Sequence, residues 1–187
     1  SEAAIQKSRL QWRNRDGQRL DVVQENVDIG ALRLIGDGSR VLLNKWDIRT
    51  NELSRIVLDF ASGRERRLEE SSPHAGLLPV SHDGKLYAHT RREKDETLIL
   101  VQPVDSFAEP QIVGRVPSQN SNPWIMGWSP DDKALFVRTE FAFTDGKILQ
   151  MSIEDGVSAP TAFSNEVLVF EYSPDNQWIA YESPFRN

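Results

Sequence analysis

Residues that could perform nucleophilic or acid–base chemistry are few in this sequence. The only histidines are His74, His82 and His89, and there is no cysteine. A nucleophile needs a base beside it, and no G-x-S-x-G segment presents a serine on the sharp turn that serine hydrolases use. We therefore expect no catalytic residue within this chain.

Metal and cofactor sites are equally hard to find in the residue pattern. The acidic residues are spread along polar stretches and do not form the clustered His, Cys or acidic sets that ligate metals. The segment GDGSR at 36–40 lacks the spacing of a phosphate-binding loop and is better explained as a hairpin turn. The sequence predicts neither a bound metal nor a cofactor.

Aspartates at a nearly constant spacing are the most regular feature of the chain. The segments GWSPDDKALFV (127–137) and EYSPDNQWIAY (171–181) share one frame, which PVSHDGKLYAH (79–89) keeps in part and RLIGDGSRVLL (33–43) keeps least. Asp37, Asp83, Asp131 and Asp175 are separated by 46, 48 and 44 residues. A period in this range is typical of repeat architectures.

Each of these aspartates is predicted to form a hairpin turn. In two of the turns, Pro130 or Pro174 fixes φ at the second turn position. In every turn the Asp side chain can bond nearby backbone N–H groups, and the next residue must accept a positive φ. Glycine does so without strain, and Asp132 and Asn176 are of the types that tolerate it best after glycine. The predicted structural turn residues are Asp37, Gly38, Asp83, Gly84, Pro130, Asp131, Pro174 and Asp175.

Four short apolar runs in each period predict four strands. In the third period these runs are WIMGW (124–128), LFVRT (135–139), KILQMSI (147–153) and SAPTAFS (158–164). Few segments hold a helical pattern for ten residues, so we expect an all-β protein. Four strands in about 45 residues are typical of a β-propeller blade, which hides both faces against its neighbours. An up-and-down barrel, the rival arrangement, would show cleaner alternation and no repeated turn sequence.

The repeated frame resembles the WD-like β-propeller repeat of the TolB type. GWSPDDKALFVRT and EYSPDNQWIAYES match it closely, and the resemblance extends over nearly the whole chain. RIVLDFASGRERRLEE (55–70) is similar to the third and fourth strands of such a blade, and LQWRNRDGQRLDVV (10–23) is similar to the same pair in an earlier blade. The Trp46-Asp47 dipeptide is not counted as support, because it falls in a predicted loop after the second strand.

We therefore predict one β-propeller region over residues 1–187, or a propeller fragment, built of four-stranded antiparallel blades. The predicted parts are a partial blade at 9–24, blades at 29–70, 74–115 and 122–164, and a partial blade at 166–183. The two partial blades could join and close a four-bladed ring. The resemblance favours a piece of a larger propeller, because TolB-type propellers commonly have more blades.

The net charge of the chain and the length of its apolar runs argue against two kinds of partner, nucleic acids and membranes. The net charge of -6 argues against a nucleic-acid partner, and no apolar run is long enough for membrane insertion. The opening residues SEAAIQKSRL lack the apolar core of a secretory signal, so either the protein is intracellular or a targeting segment lies outside this sequence.

The sequence points to a binding function. Most of the aromatic residues at strand positions are predicted to pack between blades; these are Trp124, Trp128, Trp178, Tyr87, Tyr172 and Phe136. Trp12 and Trp46 are the better candidates for contact with a protein or peptide partner. The resemblance implies a bacterial interaction module, such as a periplasmic TolB-like component or the sensor of a serine/threonine protein kinase or winged-helix regulator. The alternative is the propeller portion of an enzyme, such as a prolyl-oligopeptidase-like hydrolase or a kinase, whose catalytic domain lies outside this chain.

Overall fold

The computed structural model consists of antiparallel strands joined by turns. It describes residues 8–27, 29–47, 50, 52–68, 79–106, 108–117, 123–139, 147–161, 167, 169–173, 175 and 177–182. Among these residues, no helix is both long and apolar enough to cross a membrane. The chain forms two compact units, residues 1–69 with 73–78 and residues 70–72 with 79–187.

In the first unit, the residues that the structure describes form one two-stranded and one four-stranded sheet. The two-stranded sheet consists of β1 (Ser8–Arg13) and β2 (Arg19–Val27), and the four-stranded sheet consists, in order, of β3 (Ile29–Ile35), β4 (Arg40–Asp47), β5 (Glu52–Asp59) and β6 (Glu65–Arg67). Val41, Leu43, Ile56 and Leu58 form a buried cluster on one face of the four-stranded sheet. Side chains of both β1 and β2 pack on this cluster, so the smaller sheet covers part of that face.

The described residues of the second unit form three sheets. The first sheet consists of β7 (Leu86–Arg92), β8 (Glu96–Pro103) and β9 (Gln111–Pro117). The second sheet consists of β10 (Trp124–Trp128), β11 (Ala134–Arg138), β12 (Ile148–Ser152) and β13 (Ser158–Pro160). The third sheet consists of β14 (Val169–Tyr172) and β15 (Ile179–Glu182). Val80 forms an isolated bridge with Tyr87 beside β7. The remainder of the strand predicted at 76–80 lies outside the described residues, apart from Pro79.

A buried cluster joins the first two sheets of the second unit. Ala88, Ile99 and Val101 contribute from one sheet, and Leu135 and Val137 from the other. On the opposite face of β11, Phe136 packs with residues around β14. Because adjacent residues of β11 point to opposite faces, this single strand contributes to the core on both sides of its sheet.

Both ends of one predicted loop belong to the sheet. Strands were expected at 41–44 and 54–60, with Trp46 in the loop between them, but β4 runs to Asp47 and β5 starts at Glu52. Trp46 pairs with Leu53 and Asp47 with Glu52. The polar residues around Trp46 favoured a loop, but the ladder continues past them because a Trp side chain packs well against a cross-strand Leu.

Two glycine turns give a matched test of the packing between sheets. Gly63 (φ +66) and Gly156 (φ +70) occupy comparable positions after β5 and β12. A Cβ added to Gly156 would lie 2.8 Å from the carbonyl oxygen of Val113 in the neighbouring sheet. A Cβ added to Gly63 would meet no atom within 4 Å.

We predict that Gly156→Ala destabilises the protein more than Gly63→Ala. Both variants strain a left-handed turn by about 1 to 2 kcal/mol, and Gly156→Ala also forces the two backbones apart, at a further cost of about 1 to 3 kcal/mol. Urea denaturation of the two variants measures the difference. Equal losses in the free energy of unfolding would show that the close approach of Gly156 to Val113 does not affect stability.

Candidate functional site

The turns with the sequence Ser-x-Asp share one hydrogen-bond network. In the turn between β10 and β11, the Ser129 hydroxyl donates to Asp131 Oδ1 at 2.7 Å and accepts from the Ala134 N–H at 2.9 Å. The Asp131 carboxylate also accepts from the Lys133 N–H at 3.2 Å. Ser129 is buried, so its hydroxyl satisfies a backbone donor in a place with little access to water.

The same network recurs at the two other Ser-x-Asp turns. The Ser81 hydroxyl donates to Asp83 Oδ1 at 2.7 Å and accepts from the Leu86 N–H at 2.9 Å. The Ser173 hydroxyl donates to Asp175 Oδ1 and accepts from the Trp178 N–H at 3.0 Å. The sequence analysis singled out the aspartates as turn formers, whereas the serine links each carboxylate to the start of the following strand.

These bonds stabilise the ionised form of each aspartate. The Lys85 backbone N–H, which donates to Asp83, lowers the pKa of that carboxyl to about 2. The Ser129 hydroxyl lowers the pKa of Asp131, and the Ser173 hydroxyl does the same for Asp175. A structural role in the turn accounts for all three pKa shifts.

The turn between β3 and β4 has a reduced form of the network. Asp37 Oδ1 accepts from the Ser39 N–H at 2.9 Å, and the Gly38 N–H donates to the Ile35 carbonyl. Ile35 stands where the other turns have serine, so the link from the carboxylate to the next strand is absent. Positive φ values occur at Gly38, Gly84 and Asp132, the residues that follow the turn aspartates. Pro174 and Asn176 lie outside the described residues.

Asp132 connects two sheets of the second unit. Its carboxylate accepts from the backbone N–H groups of His82 at 2.7 Å and Asp83 at 3.0 Å, and it lies 2.8 Å from His82 Nδ1. The Trp128 indole N–H also donates to the Pro79 carbonyl at 3.0 Å. The Ser-x-Asp turn of one sheet is therefore bonded to the Ser-x-Asp turn of the preceding sheet.

Sequence reasoning missed this contact between turns. A signal was present, since Asp132 occupies a positive-φ position where Gly38 and Gly84 stand in the other copies, and glycine would fit there without strain. Because Asp also tolerates this conformation, its presence there is a reason to look for a further contact of the side chain and is not itself evidence of one.

The histidines occupy separate environments. His82 is the partner of Asp132 in the exposed turn, and His89 is buried in β7 with its ring stacked on Tyr87 at 5.6 Å. His74 lies outside the described residues. Within the described parts of the chain, no group of three His, Asp or Glu side chains could hold a metal ion.

The two predicted partner-contact residues differ in their surroundings. Trp12 lies in β1, is 36% exposed, and makes an edge-to-face contact with Phe60 at a centroid distance of 4.7 Å. Trp46 is partly buried in β4. Trp12 therefore presents an aromatic surface whose orientation is already held by a neighbouring ring.

One aromatic residue predicted to pack in the core is instead on the surface. Trp178 is 73% exposed, whereas Trp128, Tyr87 and Phe136 are buried as expected and Tyr172 and Trp124 are partly buried. The prediction used only the strand position, but Trp178 lies on the face of its two-stranded sheet opposite to Ile179, which packs on the core.

Comparison with solved structures identifies the fold. A protein described as TolB from Agrobacterium tumefaciens matches 87% of this chain at 24% identity with a TM-score of 0.61. TolB from Acinetobacter baumannii matches 92% at 17% identity with a TM-score of 0.67, and a prolyl endopeptidase matches 91% at 15% identity with a TM-score of 0.59. No protein-family model matches the sequence, and comparison with curated proteins finds no match.

These matches and the antiparallel sheets confirm the predicted fold class. The chain has the fold of a β-propeller or a propeller fragment, as found in TolB, and two of the sheets formed by the described residues are four-stranded and antiparallel. It spans 56% of the Agrobacterium chain, 42% of the Acinetobacter chain and 32% of the endopeptidase chain. The predicted blade boundaries and partner-contact residues remain predictions.

We predict that Ser129→Ala lowers the free energy of unfolding by about 1 to 3 kcal/mol. The substitution leaves the Ala134 N–H without its acceptor and removes a donor from Asp131. Urea denaturation measures the loss, with Ser158→Ala, at an exposed position of β13, as the control that should change stability by less than about 0.5 kcal/mol. Equal stability of the two variants would show that the hydroxyl does not hold the turn.

We predict that Asp132→Gly is destabilising although it relieves an unfavourable backbone conformation. If Asp132 served only the turn, glycine at φ 56° would raise stability by about 1 kcal/mol. Because two backbone N–H groups of the neighbouring turn lose their acceptor, we expect a net loss of about 1 to 3 kcal/mol. Thermal denaturation measures the sign, and a higher melting temperature would contradict the inter-sheet role.

Proposed function

We propose that this chain is a binding module that holds a protein or peptide partner, as part of a bacterial TolB-like or sensor protein. The observation that carries the proposal is the exposed surface of Trp12 on a propeller scaffold. Tryptophan is enriched among the residues that dominate binding energy at interfaces. A propeller supplies a rigid frame on which such residues can be placed.

The packing of Trp12 supports this role. Its edge-to-face contact with Phe60 restricts the indole ring before any partner arrives. Binding through a side chain that is already ordered costs less conformational entropy. Trp46 is the weaker contact, because it is partly buried and offers less free area.

A second candidate function is the propeller portion of a peptidase whose catalytic domain lies outside this chain. The likeness of fold to a prolyl endopeptidase supports it. An assay of the natural protein on a proline-containing peptide tests it, and absence of cleavage would reject this candidate.

We predict that Trp12→Ala reduces the recovery of a specific partner about tenfold or more when the tagged chain is used as bait in a lysate of the source organism. Trp46→Ala should have a smaller effect. Trp178→Ala is the matched control, because it removes a more exposed tryptophan from a different sheet. Recovery of the same proteins by wild type and Trp12→Ala would overturn the role of Trp12.

A further inference from the structure

Several turns of the chain contain the dipeptide Asp-Gly, which can rearrange without an enzyme. Because glycine has no Cβ, its backbone nitrogen can approach the carboxyl carbon of the preceding aspartate with little hindrance. The copies within the described residues are Asp16–Gly17, Asp37–Gly38, Asp83–Gly84 and Asp155–Gly156, and a fifth copy, Asp145–Gly146, lies outside them. The described copies share the same pair of reactive groups, so the surroundings of each pair decide whether it reacts.

The glycines of these four pairs have similar backbone settings. Their φ values are +80 at Gly17, +83 at Gly38, +73 at Gly84 and +70 at Gly156. Each glycine N–H donates to a carbonyl oxygen three or four residues earlier, at 3.0 or 3.1 Å. Since the attacking nitrogen is held alike in all four turns, any difference in reactivity must come from the carboxyl group.

The carboxylate of Asp83 is held firmly within its turn. Asp83 Oδ1 accepts from the Ser81 hydroxyl at 2.7 Å and from the Lys85 backbone N–H at 2.9 Å, and Lys85 Nζ lies 2.9 Å from Asp83 Oδ2. The Lys85 N–H is the main cause that lowers the pKa of Asp83 to about 2. Attack on the carboxyl carbon expels one oxygen as water, which requires the protonated carboxyl, so these bonds both hold the group in place and keep it in the unreactive form.

The carboxylates of Asp37 and Asp155 are held in the same way. Asp37 Oδ1 accepts from the Ser39 N–H at 2.9 Å, and Asp155 Oδ1 accepts from the Val157 N–H at 3.0 Å. A serine hydroxyl lowers the pKa of each carboxyl, from Ser39 at Asp37 and from Ser152 at Asp155. Both pairs are therefore protected by bonds that are local to their turns.

The turn at Asp16 is closed by a different residue. Asn14 Oδ1 accepts from the Gln18 N–H at 2.8 Å, and Asn14 Nδ2 donates to Gln18 Oε1 at 3.0 Å. Within the part of the chain that the structure describes, the Asp16 carboxylate takes part in no hydrogen bond or ion pair. A Cβ added to Gly17 would meet no atom within 4 Å, so the turn also has room for a ring to form.

We propose that Asp16–Gly17 is a site of spontaneous isomerisation to isoaspartate, and that the turns of the other three described Asp-Gly pairs protect them from this reaction. The Gly17 nitrogen bonds to Asp16 Cγ, and the nitrogen's proton leaves with the carboxyl OH as one molecule of water, which closes a five-membered succinimide ring. Water then adds to one of the two ring carbonyls. Addition at Cγ restores aspartate, whereas addition at the main-chain carbonyl of Asp16 breaks the bond from that carbon to the Gly17 nitrogen and gives isoaspartate.

The product changes the hairpin and gives it a new chemical group. Its mass is unchanged, but the main chain now passes through Cβ and Cγ of residue 16, which adds one carbon to the turn beside the paired residues Arg13 and Arg19. The α-carboxylate of residue 16 becomes free, and this is the group that an isoaspartate-specific carboxyl methyltransferase methylates with S-adenosylmethionine. The inference goes beyond the proposed function and does not rest on it.

Peptide mapping of the purified chain after prolonged incubation, in buffer and in urea at the same mildly acidic pH, tests the proposal. In urea the turns are lost, so each pair reacts at the rate set by its sequence neighbours. The protection of a pair is its rate in urea divided by its rate in the folded chain. We expect protection of more than about tenfold at Asp83, more than about threefold at Asp37 and Asp155, and less than about twofold at Asp16.

Two methods measure the product. Electron-transfer fragmentation distinguishes isoaspartate from aspartate in peptides of equal mass and so gives the position. Methylation of the same peptides by an isoaspartate-specific methyltransferase gives an independent measure of the amount. Protection at Asp16 equal to that at the other three pairs, or greater, would overturn the proposal.

Two variants test the chemistry. Asp16→Glu keeps the charge but would need a six-membered ring, so its hairpin peptide should stay unmodified. Ser39→Ala removes the hydroxyl donor from Asp37 at an exposed position, so it should lower the protection of Asp37 and leave the rate at Asp16 unchanged. A modified hairpin peptide from Asp16→Glu would contradict the succinimide route, and unchanged protection of Asp37 in Ser39→Ala would contradict protection by the turn bonds.

Discussion

The structure depends on sheets that are apolar on both faces. In β8 the consecutive residues Leu98, Ile99, Leu100 and Val101 are all buried, although alternate residues point to opposite sides. Such a strand is stable only when both faces of its sheet are covered, so a single sheet of this kind cannot be an independent domain. This requirement explains why the chain is built from repeated units and not from one large sheet. It also makes a sheet with an uncovered apolar face a candidate for binding.

The Ser-x-Asp turns position these two-faced sheets. Within a turn, the serine hydroxyl and aspartate carboxylate fix the start of the second strand, which sets which residues face each neighbour. Asp132 then bonds one turn to the preceding turn. The Ser-x-Asp sequence is thus a repeated structural device that fixes the hairpins and links neighbouring sheets.

The fold could be predicted from the period and composition of the repeats, whereas the candidate site could be predicted only in part. The spacing of the turn aspartates identified the propeller fold, because turn chemistry depends on local sequence. The exposure of Trp178 could not be predicted. The sequence pattern shows that successive residues of a strand point to opposite faces of the sheet, but it does not show which face is covered by another sheet. The contact of Asp132 with the turn at His82 spans 50 residues and depends on how two sheets meet.

Hydrogen exchange in the second unit tests the mutual stabilisation of neighbouring sheets most directly. Val137→Ala removes buried methyl groups from β11, on the face that packs against Ala88, Ile99 and Val101. If each sheet is stable only when covered, the slowly exchanging amides of β8 should lose as much protection as those of β12 in the substituted sheet. Unchanged protection in β8, with a loss confined to β10–β13, would contradict the account.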